Sequence, residues 1–360
     1  MKIYKDIYWS IISPQTLFRA WNVFKSDKRN RPDVAGFERQ LEEHVFKLYR
    51  ELKSHTYRHG GYYPFWICDP KRRHIYKATV RDRVLHHAVF KILNPIFEPT
   101  FISTSFSCRI GKGTHKGMLY LRDTVRKISA NYTRPCFVLK CDVQKFFDSV
   151  DHNILLEIIN AKVKDTETQS LLKEIIESYS VSSTRERERE RERVLGAPRR
   201  RGIPIGNLTS QLFANVYMNE FDQFMKHELK VKHYARYTDD FVIVSDSIDY
   251  LQKILPLVRT FLKKKLLLEL HPRKVEIRSC TQGIDFLGYV VLPYHILVRT
   301  KTKKRMMKKL REQVGRFKSG EINEATLFGS LHSYLGVLSH ADAYEFRREV
   351  ESQFWYWLKE

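Results

Sequence analysis

Asp239 and Asp240 stand side by side in Tyr234-Ala-Arg-Tyr237-Thr-Asp-Asp-Phe-Val-Ile-Val244, and Asp142 closes the run that begins at Pro135, almost a hundred residues earlier. Adjacent carboxylates flanked by apolar residues repel one another and lose hydration unless a cation offsets both costs. Their hard oxygens suit Mg²⁺, with Mn²⁺ as a substitute. Three such acids brought together can hold two ions about 3.5–4 Å apart, the arrangement that serves in-line phosphoryl transfer. An Asp-Asp pair alone is more often a surface turn, so the chemistry depends on the elements around it.

Those elements are legible in outline. Cys136-Phe-Val-Leu-Lys-Cys-Asp142 is rich in strand-forming residues and brings an acid to its end, and Asp151 suits the N-cap of a helix running through Leu155 and Ile158. The stretch around Tyr237 reads as strand, tight turn, strand, which puts Asp239 and Asp240 at a hairpin tip. Gly202 to Asn215 reads as strand, turn and then a helix through Phe221, with Gly206 free to bring backbone close to a ligand. The pattern gives three blocks: residues 1–135 mix helical periods with aromatic and basic loops, 136–295 alternate short strands with helices, and 296–360 read as helical.

Composition narrows the partners. The 360 residues hold 64 Lys and Arg against 41 Asp and Glu, a formal charge of +23 that favours a polyanion, with nucleic acid ahead of an anionic membrane. Arg299 to Lys318 carries ten of those cations and one acid, as a helix laid against phosphates or a merely solvated basic helix would. Residues 181–201 form an insertion whose core, Arg185 to Arg193, alternates Arg with Glu; a surface ribbon or loop fits it better than a helix. Five cysteines lack metal or disulfide spacing and are expected as packed, reduced thiols. With no apolar run near the ~18 residues of a membrane span and a charged start, a soluble cytoplasmic protein with no membrane partner is expected.

Taken in order, the Asp142 strand, Phe147 five residues on, the Gly206 block and the Tyr-x-Asp-Asp hairpin resemble the reverse transcriptases of bacterial retroelements. The resemblance covers about Tyr57 to Tyr289. It implies an α+β fold, a right-hand polymerase with fingers (1–135), a ferredoxin-like βαββ palm (136–295) and a short helical thumb (296–360). It further implies RNA-directed DNA synthesis in which Asp142, Asp239, Asp240 and the Val143 carbonyl hold two Mg²⁺. One ion would activate a primer 3′-hydroxyl while the other neutralises the triphosphate and the leaving pyrophosphate.

On the same resemblance Phe147 crowds a ribose 2′-hydroxyl so that dNTPs are selected, and Tyr237 packs under the primer terminus; a core aromatic is the plain alternative for each. Lys274 falls on the general acid for pyrophosphate. Lys77, Arg81 and Arg83 fall on the segment that clamps triphosphate, without a choice among the three. Arg109 and Lys112, in a Gly-rich basic loop, fit a template contact, and Phe286, Leu287 and Gly288 fit a primer-gripping hairpin. Ile205-Gly206-Asn207 with Gln211 at the nucleotide looks like the enzymes of diversity-generating retroelements, and an apolar Ile205 predicts low fidelity opposite adenine. Template RNA, the cDNA or primer strand and a basic accessory protein are then the expected partners. A phage-defence, retron or group II intron enzyme is the alternative, the last disfavoured by the short stretch after the thumb-like segment. A catalytically silent RNA-binding protein on this fold stands further off.

Overall fold

The computed structural model describes residues 2–68, 71–181 and 200–360. Most of the Arg/Glu-rich insertion therefore lies outside the described residues. Helices and antiparallel strand pairs are combined in the chain, as the expected α+β class requires.

Two compact units emerge, and each is assembled from separated stretches of chain. The first holds Met1–Ser103, Asp142–Lys230 and Pro256–Pro272; the second holds Thr104–Cys141, Val231–Leu255 and Arg273–Glu360. Compactness thus divides the chain differently from three consecutive blocks.

In the first unit, α1 (Tyr8–Ile12), α2 (Pro14–Phe24), α3 (Pro32–Arg39) and α4 (Leu41–Lys53) surround α5 (Val80–Phe97). Side-chain caps fix where several helices begin: Ser13 accepts from the Thr16 amide and Thr79 from the Asp82 amide. Trp21, Phe24, Leu48, Leu52, Leu85 and Leu93 are buried there. Between α4 and α5 the chain makes an antiparallel ribbon, β1 (Tyr62–Ile67) with β2 (Arg73–Ala78), where loops were expected.

The second unit contributes α6 (Thr114–Ile128) and most of β3 (Phe137–Val143), whose last two residues belong to the first unit. The first unit resumes with α7 (Phe146–Ser149), α8 (His152–Lys162), α9 (Thr166–Glu177) and α10 (Leu208–Gln223). As expected, the Asp151 carboxylate caps α8 through the amides of Asn153 and Ile154. Gly202–Asn207 is not a strand; it leads into α10 after a single bridge between Asp151 and Arg201.

Next come β4 (Tyr234–Tyr237), β5 (Asp240–Ser245), α11 (Ile248–Lys265) and β6 (Leu270–Ser279). The sheet order β4-β5-β3-β6 is that of a split βαβ, ferredoxin-like arrangement, because the first strand in sequence lies between the third and the fourth. A three-stranded meander follows, β7 (Ile284–Phe286), β8 (Tyr289–Val291) and β9 (Ile296–Val298), and then three helices, α12 (Thr300–Lys318), α13 (Glu324–Leu338) and α14 (Tyr344–Lys359). One core joins α6, the sheet, the meander and these helices through Met118, Leu121, Val138, Val242, Phe286, Leu310, Leu331 and Phe354.

Candidate active site

The β4–β5 hairpin is as tight as a hairpin can be. Tyr237 pairs with Asp240, so Thr238 and Asp239 are its two turn residues. Thr238 sits at φ 55°, a left-handed position that a β-branched residue rarely takes and that costs about 1–3 kcal/mol unless its surroundings hold it. Asp239 and Asp240 are half-buried, as is Tyr237, which packs against the core of the second unit. Ala235, Phe241, Val242 and Ile243 are fully buried and anchor the hairpin.

Asp142 is the sixth of the seven residues of β3, the strand next to β5 in the sheet, and the residue is 8% exposed. Val143 follows, buried. Among the described residues no group of three or more His, Cys, Asp and Glu side chains forms a ready-made metal cage. Mg²⁺ is commonly held by one or two carboxylates together with water and substrate phosphates, so hard carboxylates on neighbouring strands remain a fitting donor set.

The two phenylalanines that follow β3 have different environments. Lys145, at φ 46°, breaks the strand and starts α7; Phe146 then turns into the core at 2% exposure while Phe147 is half-buried. The Phe147 carbonyl accepts from the Ile203 amide at 2.8 Å, tying α7 to the Gly202 segment. That segment is tied in turn to β2. The Tyr76 amide donates to the Ile205 carbonyl at 3.1 Å, and the buried Asn207 side chain donates to the Tyr76 carbonyl at 2.9 Å and accepts from the Ala78 amide at 3.4 Å. Asn207 therefore stitches backbone and does not cap α10. Gly206, at φ 114°, is exposed, and a Cβ there would come within 2.7 Å of Ile75. Gln211 is exposed and Ile205 half-buried.

The three cations expected at a triphosphate are engaged by acids of their own unit. Lys77 and Arg83 both reach Asp33, at 2.9 and 2.7 Å, and Arg81 reaches Glu51 at 2.8 Å and Asp82 at 3.2 Å. Burial alone would raise the Asp33 carboxyl, but hydrogen bonds from Lys77 and Arg83 outweigh it and hold the group below its ordinary range. Asp33 is a feature the sequence pattern did not single out; nothing in the spacing ties residue 33 to residues 77 and 83.

In the second unit, Lys274 is exposed on β6. Phe286 pairs with Tyr289, leaving Leu287 and Gly288 as turn residues at φ 51° and 96°, the two positive values that a type I′ turn requires. Phe286 is fully buried, whereas Leu287 packs onto Gly117, where a Cβ would come within 2.7 Å of its methyl group. Arg109 donates to the Ser105 carbonyl at 2.9 Å, and Lys112 lies over the Phe106 ring at 5.6 Å. The loop carrying them is thus braced rather than loose. Among the described residues no two cysteines form a disulfide; Cys136, Cys141 and Cys280 are buried, but Cys68 and Cys108 are exposed, against the expectation that all would pack. Among the described residues no helix is long and apolar enough to cross a membrane.

Residues 69–291 match the family described as reverse transcriptase (RNA-dependent DNA polymerase), well over half of the chain. The chain belongs to the reverse transcriptase family. Among curated relatives of this reverse transcriptase, the group II intron-encoded protein LtrA of Lactococcus lactis subsp. cremoris is 24% identical over 414 aligned residues, covering 97% of this chain and 62% of LtrA. Protein YkfC of Escherichia coli K12 is 23% identical, covering 81% of this chain and 83% of its own. The chain thus spans about three-fifths of the length of LtrA. A telomerase from Candida albicans, solved in complex with a TWJ fragment of telomeric RNA, is 10% identical with a TM-score of 0.47, covering 85% of this chain and 61% of that one. LtrA is a group II intron-encoded protein, whereas the Gly206 block had suggested diversity-generating retroelements.

Proposed function

We propose that this reverse transcriptase copies an RNA template into DNA, with Asp142, Asp239, Asp240 and the Val143 carbonyl holding two Mg²⁺. The observation that carries this reading is the sheet order β4-β5-β3, which makes the Asp142 strand the neighbour of the strand that opens with Asp240. The ions, when bound, supply charge neutralisation of the triphosphate and lower the pKa of the attacking hydroxyl. Tyr237 then supports the primer terminus, Phe147 excludes the 2′-hydroxyl and Lys274 gives a proton to pyrophosphate. Lys77, Arg81 or Arg83 meets the triphosphate after exchanging a carboxylate partner for phosphate, and Arg109, Lys112 and the Phe286–Gly288 turn hold template and primer. Residues 1–135, 136–295 and 296–360 serve as fingers, palm and thumb. Purified chain should extend a DNA primer on an RNA template in Mg²⁺, and Asp239→Ala should abolish extension while template–primer binding persists. Undiminished extension by Asp239→Ala would overturn the assignment.

The Ile205-Gly206-Asn207 block with Gln211 supports a finer reading, a diversity-generating enzyme with low fidelity opposite adenine and a basic accessory protein. The half-buried, apolar Ile205 side chain offers no hydrogen bond to an incoming nucleotide, and its carbonyl is engaged by Tyr76. Ile205→Gln should reduce misincorporation opposite template adenine; an unchanged error spectrum sinks this reading and leaves the group II intron type, favoured by the kinship with LtrA.

A further inference from the structure

Thr238 occupies a backbone conformation that its side chain opposes, between two residues assigned to the active site, so something must hold it there. The holding contacts come from a stretch over a hundred residues earlier. Thr104 to Phe106 runs parallel along β4: the Arg236 amide donates to the Thr104 carbonyl at 3.0 Å, and the Phe106 amide donates to the Arg236 carbonyl at 2.9 Å. Side chains complete the junction. The fully buried Arg236 guanidinium donates through Nη1 to the Thr238 carbonyl at 2.9 Å and through Nη2 to the Ser105 hydroxyl at 3.0 Å. The Ser107 and Thr238 hydroxyls share a hydrogen bond of 2.6 Å, with Ser107 only 2% exposed.

We infer that Thr104–Ser107 is a positioning clamp for the hairpin tip, with Ser107 and Arg236 as positioning residues that fix Asp239 and Asp240 by fixing Thr238. The inference rests on the polymerase reading above. A guanidinium bonded to the turn carbonyl and a hydroxyl bonded to the turn side chain restrain Thr238 from both ends. The turn then cannot relax to the negative φ that threonine prefers. Relaxation would rotate the peptide that leads into Asp239, and displacements near 1 Å at a reacting centre cost on the order of a hundredfold in rate. The clamp also gives the Gly-rich loop from Cys108 to Gly113 a rigid root, since the Gly113 amide returns to the Phe106 carbonyl at 2.9 Å.

Single-nucleotide addition by the purified full chain tests this with Ser107→Ala, Thr238→Val, the double variant and Ser107→Thr. Ser107→Ala and Thr238→Val should each lower kcat by about ten- to a hundredfold. The dNTP KM should stay within about twofold, because the nucleotide contacts are untouched. Each should also need more Mg²⁺ for half-maximal rate, with a melting temperature lowered by no more than about 4 °C. The double variant should be no worse than either single one, since both remove the same bond, and Ser107→Thr, which keeps a hydroxyl, should recover most of the rate. A wild-type kcat in Ser107→Ala, losses that multiply in the double variant, or a loss matched by a larger fall in melting temperature would overturn the clamp while leaving the polymerase reading intact. A wild-type chain that fails to extend primer would overturn both.

Discussion

At the residue scale, Phe146 and Phe147 show how helix geometry separates a core side chain from a candidate functional one. The residue types are identical and the positions adjacent, but α7 starts at Phe146, right after the left-handed Lys145, and its rotation of about 100° per residue turns the first ring inward and the second away. The rings lie 5.4 Å apart at 76°, an edge contact in which buried Phe146 supports half-buried Phe147. Their truncations should therefore part company. Phe147→Ala should admit ribonucleotides, lowering the dNTP over rNTP preference by about ten- to two-hundredfold, the range that a filled or vacated apolar contact sets. Phe146→Ala should instead cost about 3–5 kcal/mol of stability in urea titrations and discriminate sugars as wild type does. Equal sugar discrimination in Phe147→Ala and wild type would remove Phe147 from the gate.

Whole elements differ in how plainly the sequence announces them. The Asp239 hairpin, the Asp151 cap and the Phe286 turn were all readable, because each depends on residues within a few positions of one another. The β1–β2 ribbon was not, since its edge is stabilised from outside by Ile205 and Asn207, 129 positions beyond Ala78 in the latter case. The same holds for the Asp33 pairs and the Ser107–Thr238 bond, which local pattern cannot encode. A buried histidine pair gives this packing a pH signature. His59 Nδ1 lies 2.6 Å from the Gly60 carbonyl and its Nε2 3.1 Å from Nε2 of His86. The Gly60 carbonyl can only accept, so His59 donates to it through Nδ1, while Nδ1 of His86 is buried without a hydrogen-bond partner. Burial first, then the neighbouring His59, push His86 down to about 3. The folded state thus refuses a proton that the unfolded chain accepts below about pH 6.5. Stability from His86 is complete above that pH and lost as pH falls from there toward 3, by up to about 1.4 kcal/mol for each pH unit. His86→Leu should flatten the decline in urea midpoint between pH 6.5 and 4.5 by about one proton's worth; an unaltered slope would mean that His86 does not titrate on unfolding.

For the molecule as a whole, a charge of +23 matters most where it is arranged, and α12 arranges it. Met306, Leu310 and Val314 are buried at helical spacing, while Lys301, Lys304, Lys308, Arg311 and Lys318 are exposed on the remaining surface. The basic side is therefore presented outward by the burial of the apolar one, and a polyanion is the natural partner for it. Each cation that meets a phosphate releases a counterion, so affinity for a template–primer should fall steeply with salt, by on the order of a thousandfold between 50 and 200 mM if about six phosphates are neutralised. Lys304→Ala with Lys308→Ala and Arg311→Ala removes three charges without touching the buried stripe. Melting should be unchanged, and the slope of log affinity against log salt should become shallower by about three. The weakening should be the same for templates of any sequence, because phosphates carry no base identity. Filter binding across a salt series measures both; a triple variant with the wild-type slope would show that this face of α12 meets no nucleic acid and that the charge there is merely solvated.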